Sequence, residues 1–209
     1  MNNNEMIVKQ QESMIEQQKE KIKKRILWID LETTGVEHSI DKILQFAFII
    51  TDYKHNTLIE EDYVVKHDRN EVFEMCSEYV QNMHSKTGLW DRIETEGVEL
   101  KEIDKQVSNI IKANMNTDWG LNIGGDSVHF DFYFIKKNMP LTAELLAHRL
   151  MDITSVLQWF RVSENKVDVP KVETTHDALD DIRNSVRKSK CILEKIEEIR
   201  NTYKIVEGE

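Results

Sequence analysis

Three stretches of this chain place carboxylates where a strand end or a helix start would present them to open space. Asp30-Leu31-Glu32 closes the apolar run RILWIDLE (25–32). Side chains at i and i+2 of a strand share a face, so Asp30 and Glu32 project together, with Trp28 on their side and Ile29 and Leu31 on the other. Two adjacent carboxylates repel unless a cation neutralises them, and a hard divalent metal does so. Taken alone, the pair reads equally well as a solvated strand end. Asp131 stands among Phe130, Phe132, Tyr133 and Phe134 in VHFDFYFI, where a buried carboxylate needs a partner. Its alternative is an exposed stripe with the aromatics turned inward, and Asp126 competes with it as a helix cap. His176-Asp177-Ala178-Leu179-Asp180-Asp181 opens the last helix. With His176 in the loop before that helix, His176 and Asp181 reach one cleft. Imidazole titrates near pH 6.5, so at neutral pH it can take a proton from water. Thr174 or Thr175 would cap the helix, and by itself this segment also reads as a capped helix with surface acids.

Assembled, these pieces describe one reaction. Four carboxylates can hold two Mg²⁺ or Mn²⁺ ions about 4 Å apart, and such a pair stabilises the attacking and leaving oxygens of a phosphoryl displacement. A histidine at the edge would deprotonate the attacking water. The implied chemistry is metal-assisted phosphodiester hydrolysis.

The elements that must position these groups follow from the hydrophobic pattern. RILWIDLE, ILQFAFIITD (43–52) and TLIEEDYVV (57–65), joined by brief polar turns, predict an antiparallel meander. The period then changes: residues 70–94 carry helical signals. In 99–114, Leu100, Ile103, Val107, Ile110 and Ile111 recur at 3- and 4-residue spacing. DWGLNIGG (118–125) reads as a strand ending in a glycine turn. Helical segments are expected around 128–137, 141–148 and 153–162, and a long one from about 175 to 199. Strands first, then helices with a strand between them, predict a mixed α/β sheet domain. The compact part starts at Arg25. Before it, residues 1–24 hold five Lys and four Glu with almost no core-forming residues, and read as a mobile or loosely helical tail. A short C-terminal tail, 201–209, is expected to follow a domain of residues 25–200.

Composition excludes several classes. With 40% hydrophobic residues, 7 Gly and 2 Pro in 209 residues, the chain is neither disordered throughout nor collagen-like. It has no apolar run long enough to span a membrane, and its tail lacks the apolar core of a secretory signal. Four glutamates and no arginine in the tail argue against a mitochondrial transit peptide. Cys76 and Cys191 make no metal-binding spacing and read as reduced thiols of a cytoplasmic protein. The net charge of −10 disfavours a clamp for long nucleic acid and favours short or small substrates.

WIDLETTG, GDSVHFDFYFI and THDALDDIRNSV, in that order, resemble the three motifs of the DEDDh 3′–5′ exonucleases, which adopt a ribonuclease-H-like fold. Within that superfamily the chain is most similar to the oligoribonuclease family over roughly 25–200, through NMHSKTGLWDRI (82–93), GDSVHFDFYFIKKNMP (125–140) and RLMDITSVLQWF (149–160) as well. The resemblance implies a homodimer that degrades RNA fragments of a few nucleotides to 5′-mononucleotides. By motif position it makes Asp30, Glu32, Asp131 and Asp181 the metal ligands and His176 the general base, leaving Asp177 and Asp180 outside the ligand slots. Val36 and Tyr79 match positions that wedge the bases, and Tyr79 retains the ability to stack. Ser127, Arg149 and Thr154 match a cap on the 5′ phosphate, where a guanidinium grips well. His148 replaces the tyrosine that a partner protomer contributes. Asp126 stands where the family usually has Asn, which would set a negative charge against the phosphate and weaken its binding.

The remaining aromatic and acidic features read as structural. Trp90, Trp119 and Trp159 are expected in the core or as dimer anchors, and the acidic run Asp91–Asp104 as a solvated helix face. His84 reads as either a structural or a substrate-facing residue; His38, His55 and His67 read as turn residues. Two rival readings stand beside the ribonuclease: an exonuclease of single-stranded DNA or longer RNA with the same chemistry, and a non-catalytic binding module.

Overall fold

The alternation read from RILWIDLE divides the molecule into two cores, one on each face of a sheet. In β1 (Arg25–Thr33), Leu27, Ile29 and Leu31 enter one core while Ile26 and Trp28 enter the other. β2 (Ile43–Asp52) is buried along almost its whole length because both of its faces are covered. β3 (Thr57–Val64), at the sheet edge, is mostly half-exposed. These three strands form the expected antiparallel meander, with Asp30 opposite Ala47 and Glu32 opposite Gln45. The computed structural model describes residues 6, 9–17, 24–115, 121–170 and 175–207, with side chains of the last helix described to Tyr203. Residues 9–17 of the N-terminal segment are helical and exposed.

β4 (Leu121–Gly125) runs parallel to β1 and β5 (Leu146–Asp152) parallel to β4, completing a five-stranded sheet of order β3-β2-β1-β4-β5. β5 corrects the expectation of a helix over 141–148. The helix there, α6 (Pro140–Ala143), stops after one turn. LTAELLAH has helix-forming composition, but the open edge of β4 offers backbone partners, and pairing of Leu146 with Leu121 and Leu150 with Ile123 overrides local propensity. Gly124 allows the close approach of β4 to β1: a Cβ there would meet the Trp28 ring at 2.6 Å.

The helices cover the two faces unequally. α1 (Arg69–Met75), α2 (Glu78–Thr87) and α3 (Leu89–Thr95) form a satellite core on Leu44 and Val64 through Val72, Leu89, Trp90 and Ile93. Gly88 takes φ 74° at the joint between α2 and α3, a conformation that favours glycine. α4 (Leu100–Asn114) packs Ile103, Val107 and Ile111 on the Leu27 face, with α5 (His129–Asn138) beside it through Phe134 and Ile135. The opposite face receives α7 (Ile153–Val162) and α8 (Ala178–Glu207), the latter through Ala178, Ile182, Val186 and Ile192. α8 continues to Glu207 rather than ending near 199. Among the described residues, no helix is long and apolar enough to cross a membrane.

Of the tryptophans expected in the core or as dimer anchors, Trp90 is buried, Trp159 is 74% exposed and so not in the core, and Trp119 lies outside the described residues. Two readings of single residues change. Asp104 is not on a solvated face: it is buried and accepts the backbone N–H groups of Leu141 (3.0 Å) and Thr142 (2.8 Å), tying α4 to the start of α6. α8 is capped by Asp177, whose Oδ1 accepts from the amides of Leu179 and Asp180 at 3.2 Å, in place of a threonine; Thr174 lies outside the described residues.

Candidate active site

β1, β4 and β5 are parallel, so their carboxyl ends open at the same edge of the sheet, the place where an α/β sheet presents a crevice. Asp30 and Glu32 leave the end of β1, on the Trp28 side that α8 covers. Past the end of β4 come Asp126 and Ser127, then α5 with Asp131 in its first turn. Past the end of β5 comes Thr154, in the first turn of α7. His176 stands in the loop before α8 and Asp181 in that helix's first turn.

Five residues singled out by type and spacing therefore converge. One ligand atom each from Glu32, His176 and Asp181 lie within 4.8 Å of one another. Asp131 is only 4% exposed, which eliminates the solvent-facing alternative. Asp30 feels the charges of Asp131, Glu32, Asp181 and Asp126. His176 takes φ 57°, a left-handed conformation uncommon outside glycine. Asp181 holds it there: its Oδ2 accepts the His176 amide (3.2 Å), while its Oδ1 accepts the Thr175 amide (3.2 Å) and hydroxyl (3.3 Å).

Electrostatically the cluster is unfavourable without a cation. Burial first, then the carboxylates of Asp181, Asp177 and Asp131, push Glu32 from 4.5 up to about 8. Asp30 is raised by burial and then by its acidic neighbours. Asp131 is raised by burial, against the pull of the Leu31 and Asp131 backbone amides. Packed carboxylates with an imidazole at their edge are a donor set suited to a hard divalent cation, whose charge would reverse each of these shifts.

Behind Glu32 lies His84, fully buried, with Nε2 at 3.3 Å from the Thr33 carbonyl, Nδ1 at 3.9 Å from the Glu32 carboxylate and its ring edge-on to Trp90. Burial lowers its pKa, so it braces the strand end as a neutral ring rather than facing substrate. His38 and His55 sit in the β1–β2 and β2–β3 connections and His67 in the irregular stretch between β3 and α1: His38 stacks on Tyr133, His55 contacts Ser189 Oγ at 2.9 Å, and His67 bonds the Ile43 carbonyl at 2.8 Å.

The remaining candidates are placed less closely together. Ser127 Oγ lies 3.4 Å from Thr154 Oγ1, joining two of the three residues matched to a phosphate cap. Arg149 and His148 sit earlier on β5, exposed, with no hydrogen bond to either hydroxyl among the described residues. Val36, 85% exposed in the β1–β2 loop, and Tyr79, 70% exposed on α2, are free to meet a ligand.

Two networks escaped the sequence reading. Gln45 donates to Asp62 (2.9 Å) and Asp177 (3.1 Å) and accepts from the Ala178 amide, while Arg92 pairs with Asp62 (2.7 Å) and Asp177 (3.5 Å). This joins β2, β3 and α3 to the start of α8, and no spacing rule links four such distant positions. In the second, Ser185 and Lys188 hold Asp126. They follow Asp181 at i+4 and i+7, one stripe of α8, so helical periodicity contained that signal.

Comparison with known proteins agrees with this geometry. A family model described as "Exonuclease" matches residues 27–188. The oligoribonuclease of Arabidopsis thaliana is 31% identical over 172 residues, covering 80% of this chain and 76% of that protein. A probable oligoribonuclease of Drosophila melanogaster is 33% identical over 165 residues, covering 78% of each. That of Corynebacterium glutamicum (strain R) is 32% identical over 166 residues, covering 78% and 76%. Among solved structures, exonuclease I from Methylocaldum szegediense aligns with TM-score 0.62 at 18% identity, over 81% of this chain and 40% of that one. Exonuclease I of E. coli with a 5cy-dA13 oligonucleotide aligns with TM-score 0.62 at 16% identity, over 86% and 42%. The latter two share the ribonuclease-H-like sheet, and this chain spans less than half their length. Extent of match and level of identity together establish that the chain belongs to the exonuclease family, on its oligoribonuclease branch.

Proposed function

We propose that the protein is a 3′–5′ exoribonuclease that degrades RNA of a few nucleotides to nucleoside 5′-monophosphates. The observation that carries this reading is the convergence of Glu32, His176 and Asp181 within 4.8 Å, with Asp30 and Asp131 packed beside them. Asp30, Glu32, Asp131 and Asp181 would hold two Mg²⁺ or Mn²⁺ ions. When bound, these supply Lewis acidity to the scissile phosphate and neutralise the negative charge that develops on its oxygens.

The chain's own residues do the rest. His176 accepts the proton of the attacking water, and Asp181 fixes the imidazole's loop through the amide bond described above. Asp177 and Arg92 lock the start of α8, so the loop has a rigid base. Val36 and Tyr79 flank the bases, and Ser127 and Thr154, with Arg149, receive the 5′ phosphate. The exposed edge strand β5, carrying His148 and Arg149, and the exposed Trp159 support a homodimer in which His148 faces the partner's site. Residues 25–200 form the catalytic unit in this reading. Cys76 and Cys191, both free, suit the cytoplasm, although the mouse relative is named a mitochondrial oligoribonuclease.

The test is hydrolysis of 5′-phosphorylated RNAs from two to ten nucleotides with Mg²⁺, Mn²⁺ or chelator, beside DNAs of equal length. Rapid, metal-dependent loss of the dinucleotide is expected. Activity only on DNA or longer RNA would move the protein to another branch of the same chemistry, and inactivity on every strand would favour the binding module. A single-chain mass in solution would overturn the dimer.

A further inference from the structure

Asp126 adds a fifth acidic side chain beside the catalytic cluster, close enough to be felt by Asp30. Its carboxylate is gripped from two helices. Ser185 Oγ (2.7 Å) and Lys188 Nζ (2.6 Å), both on α8, bind Oδ2; Thr154 Oγ1, at the start of α7, lies 3.4 Å from Oδ1. Thr154 Oγ1 also lies 3.4 Å from Ser127 Oγ, and Ser127 holds φ 51° in the turn that leads into α5. A non-glycine residue persists in that region only where its surroundings hold it. The grip on Asp126 thus fixes the turn bearing Ser127 and joins it to the helix bearing Asp181.

Position alone would make Asp126 repel an anionic ligand at Ser127 and Thr154, the weakening expected from sequence. Lys188 removes that repulsion while leaving the carboxylate able to anchor the turn. The space beside the pair is a cavity of about 510 Å³ whose lining sets Arg161, Lys166 and Lys188 against Asp126 and Asp168. There is room for a phosphoryl group, and the lining's single net positive charge is lost without Lys188.

We propose that the Asp126–Lys188 pair is a positioning and specificity device for the substrate's 5′ phosphate: Lys188 cancels the Asp126 charge, and the pair holds the Ser127 and Thr154 hydroxyls toward that phosphate. This rests on the exoribonuclease reading above and names a determinant of its preference for a 5′-phosphorylated end. Lys188 touches no reacting atom.

The experiment compares 5′-phosphorylated and 5′-hydroxyl RNA dinucleotides with wild type, Lys188→Gln, Lys188→Arg and Asp126→Asn/Lys188→Gln. KM and kcat are measured with metal, and equilibrium binding in chelator, with thermal unfolding as a check on folding. Exposing one uncompensated charge near the phosphate corresponds to roughly a fivefold loss. Lys188→Gln is therefore expected to raise KM and weaken metal-free binding about fivefold for the 5′-phosphorylated dinucleotide, with kcat and the 5′-hydroxyl substrate changed less than about twofold. Lys188→Arg and the charge-neutral double variant are expected to restore the wild-type preference. Equal effects on both substrates, or a double variant as impaired as Lys188→Gln, would overturn the proposal and leave the pair a merely structural tie. A wild type that cleaves no oligonucleotide would overturn the functional reading and this inference with it. A wild type that cleaves dinucleotides while Lys188→Gln keeps its preference would overturn this inference alone.

Discussion

Stripping the active site of cations should make the protein less stable as pH rises, the reverse of ordinary acid denaturation. Glu32 titrates at about 8 in the fold against 4.5 for an ordinary glutamate. Between those values the folded state keeps a proton that the unfolded chain has released. Stability then falls with rising pH, because the slope follows the protons bound by the unfolded state minus those bound by the folded one. Glu32's contribution is fully present below about 4.5 and fully lost above about 8. The span of the shift corresponds to about 5 kcal/mol, of which about 2 kcal/mol falls between pH 6 and 8, where the folded group is still half protonated at the upper end. Asp30 and Asp131, also raised, act in the same direction. For a chain of this size 1 kcal/mol moves Tm by about 2–4 °C, so Glu32 alone should lower Tm in chelator by about 4–8 °C between pH 6 and 8.

A bound divalent cation should erase this slope, because it favours the ionised carboxylates. The cation must displace the Glu32 proton below pH 8, so its apparent affinity should tighten about tenfold per pH unit for each proton displaced and level off above about 8. Calorimetric unfolding in chelator across pH 5.5–8.5, and metal titrations in two buffers of different ionisation enthalpy, measure both quantities. Glu32→Gln should flatten the unfolding slope. A Tm in chelator that stays level or rises from pH 6 to 8, or a Glu32→Gln variant with the wild-type slope, would refute the argument.

Three further outcomes follow from individual contacts. His176→Ala should lower kcat by about 10²–10⁴-fold while KM moves little; unchanged turnover would remove His176 as the base. Asp30→Asn should abolish activity yet raise Tm in chelator, because it relieves like-charge repulsion in a buried cluster; a lower Tm would contradict the electrostatic picture. Asp104→Ala leaves the amides of Leu141 and Thr142 without their acceptor and should destabilise the fold by about 1–3 kcal/mol, read as a lower denaturation midpoint, with kcat of the folded fraction retained.

What the sequence disclosed and what it concealed divide along the range of the interactions. The β1 face assignment needs only the two-residue period of a strand, and Trp28, Asp30 and Glu32 do share the side covered by α8. The three acidic motifs are local strings, and each delivers its carboxylate from the end of one element. β5 was hidden because Leu146–Asp152 has helical composition and becomes a strand only by pairing with β4. Asp104 was hidden because its acceptors' partners lie in α6, 37 and 38 residues away.

Asp126 illustrates the intermediate case, and it changes the meaning of the motif itself. Read within its own string, its charge opposes a substrate phosphate. Read along α8, the stripe Asp181, Ser185, Lys188 carries a metal-ligand candidate at one end and that charge's counter-ion at the other. One helix face can thus set negative potential where cations must bind and remove it where phosphate must bind, separated by two turns. A deleterious-looking substitution in one motif is then half of a pair whose other half lies in another, and the functional unit is the helix stripe rather than either string.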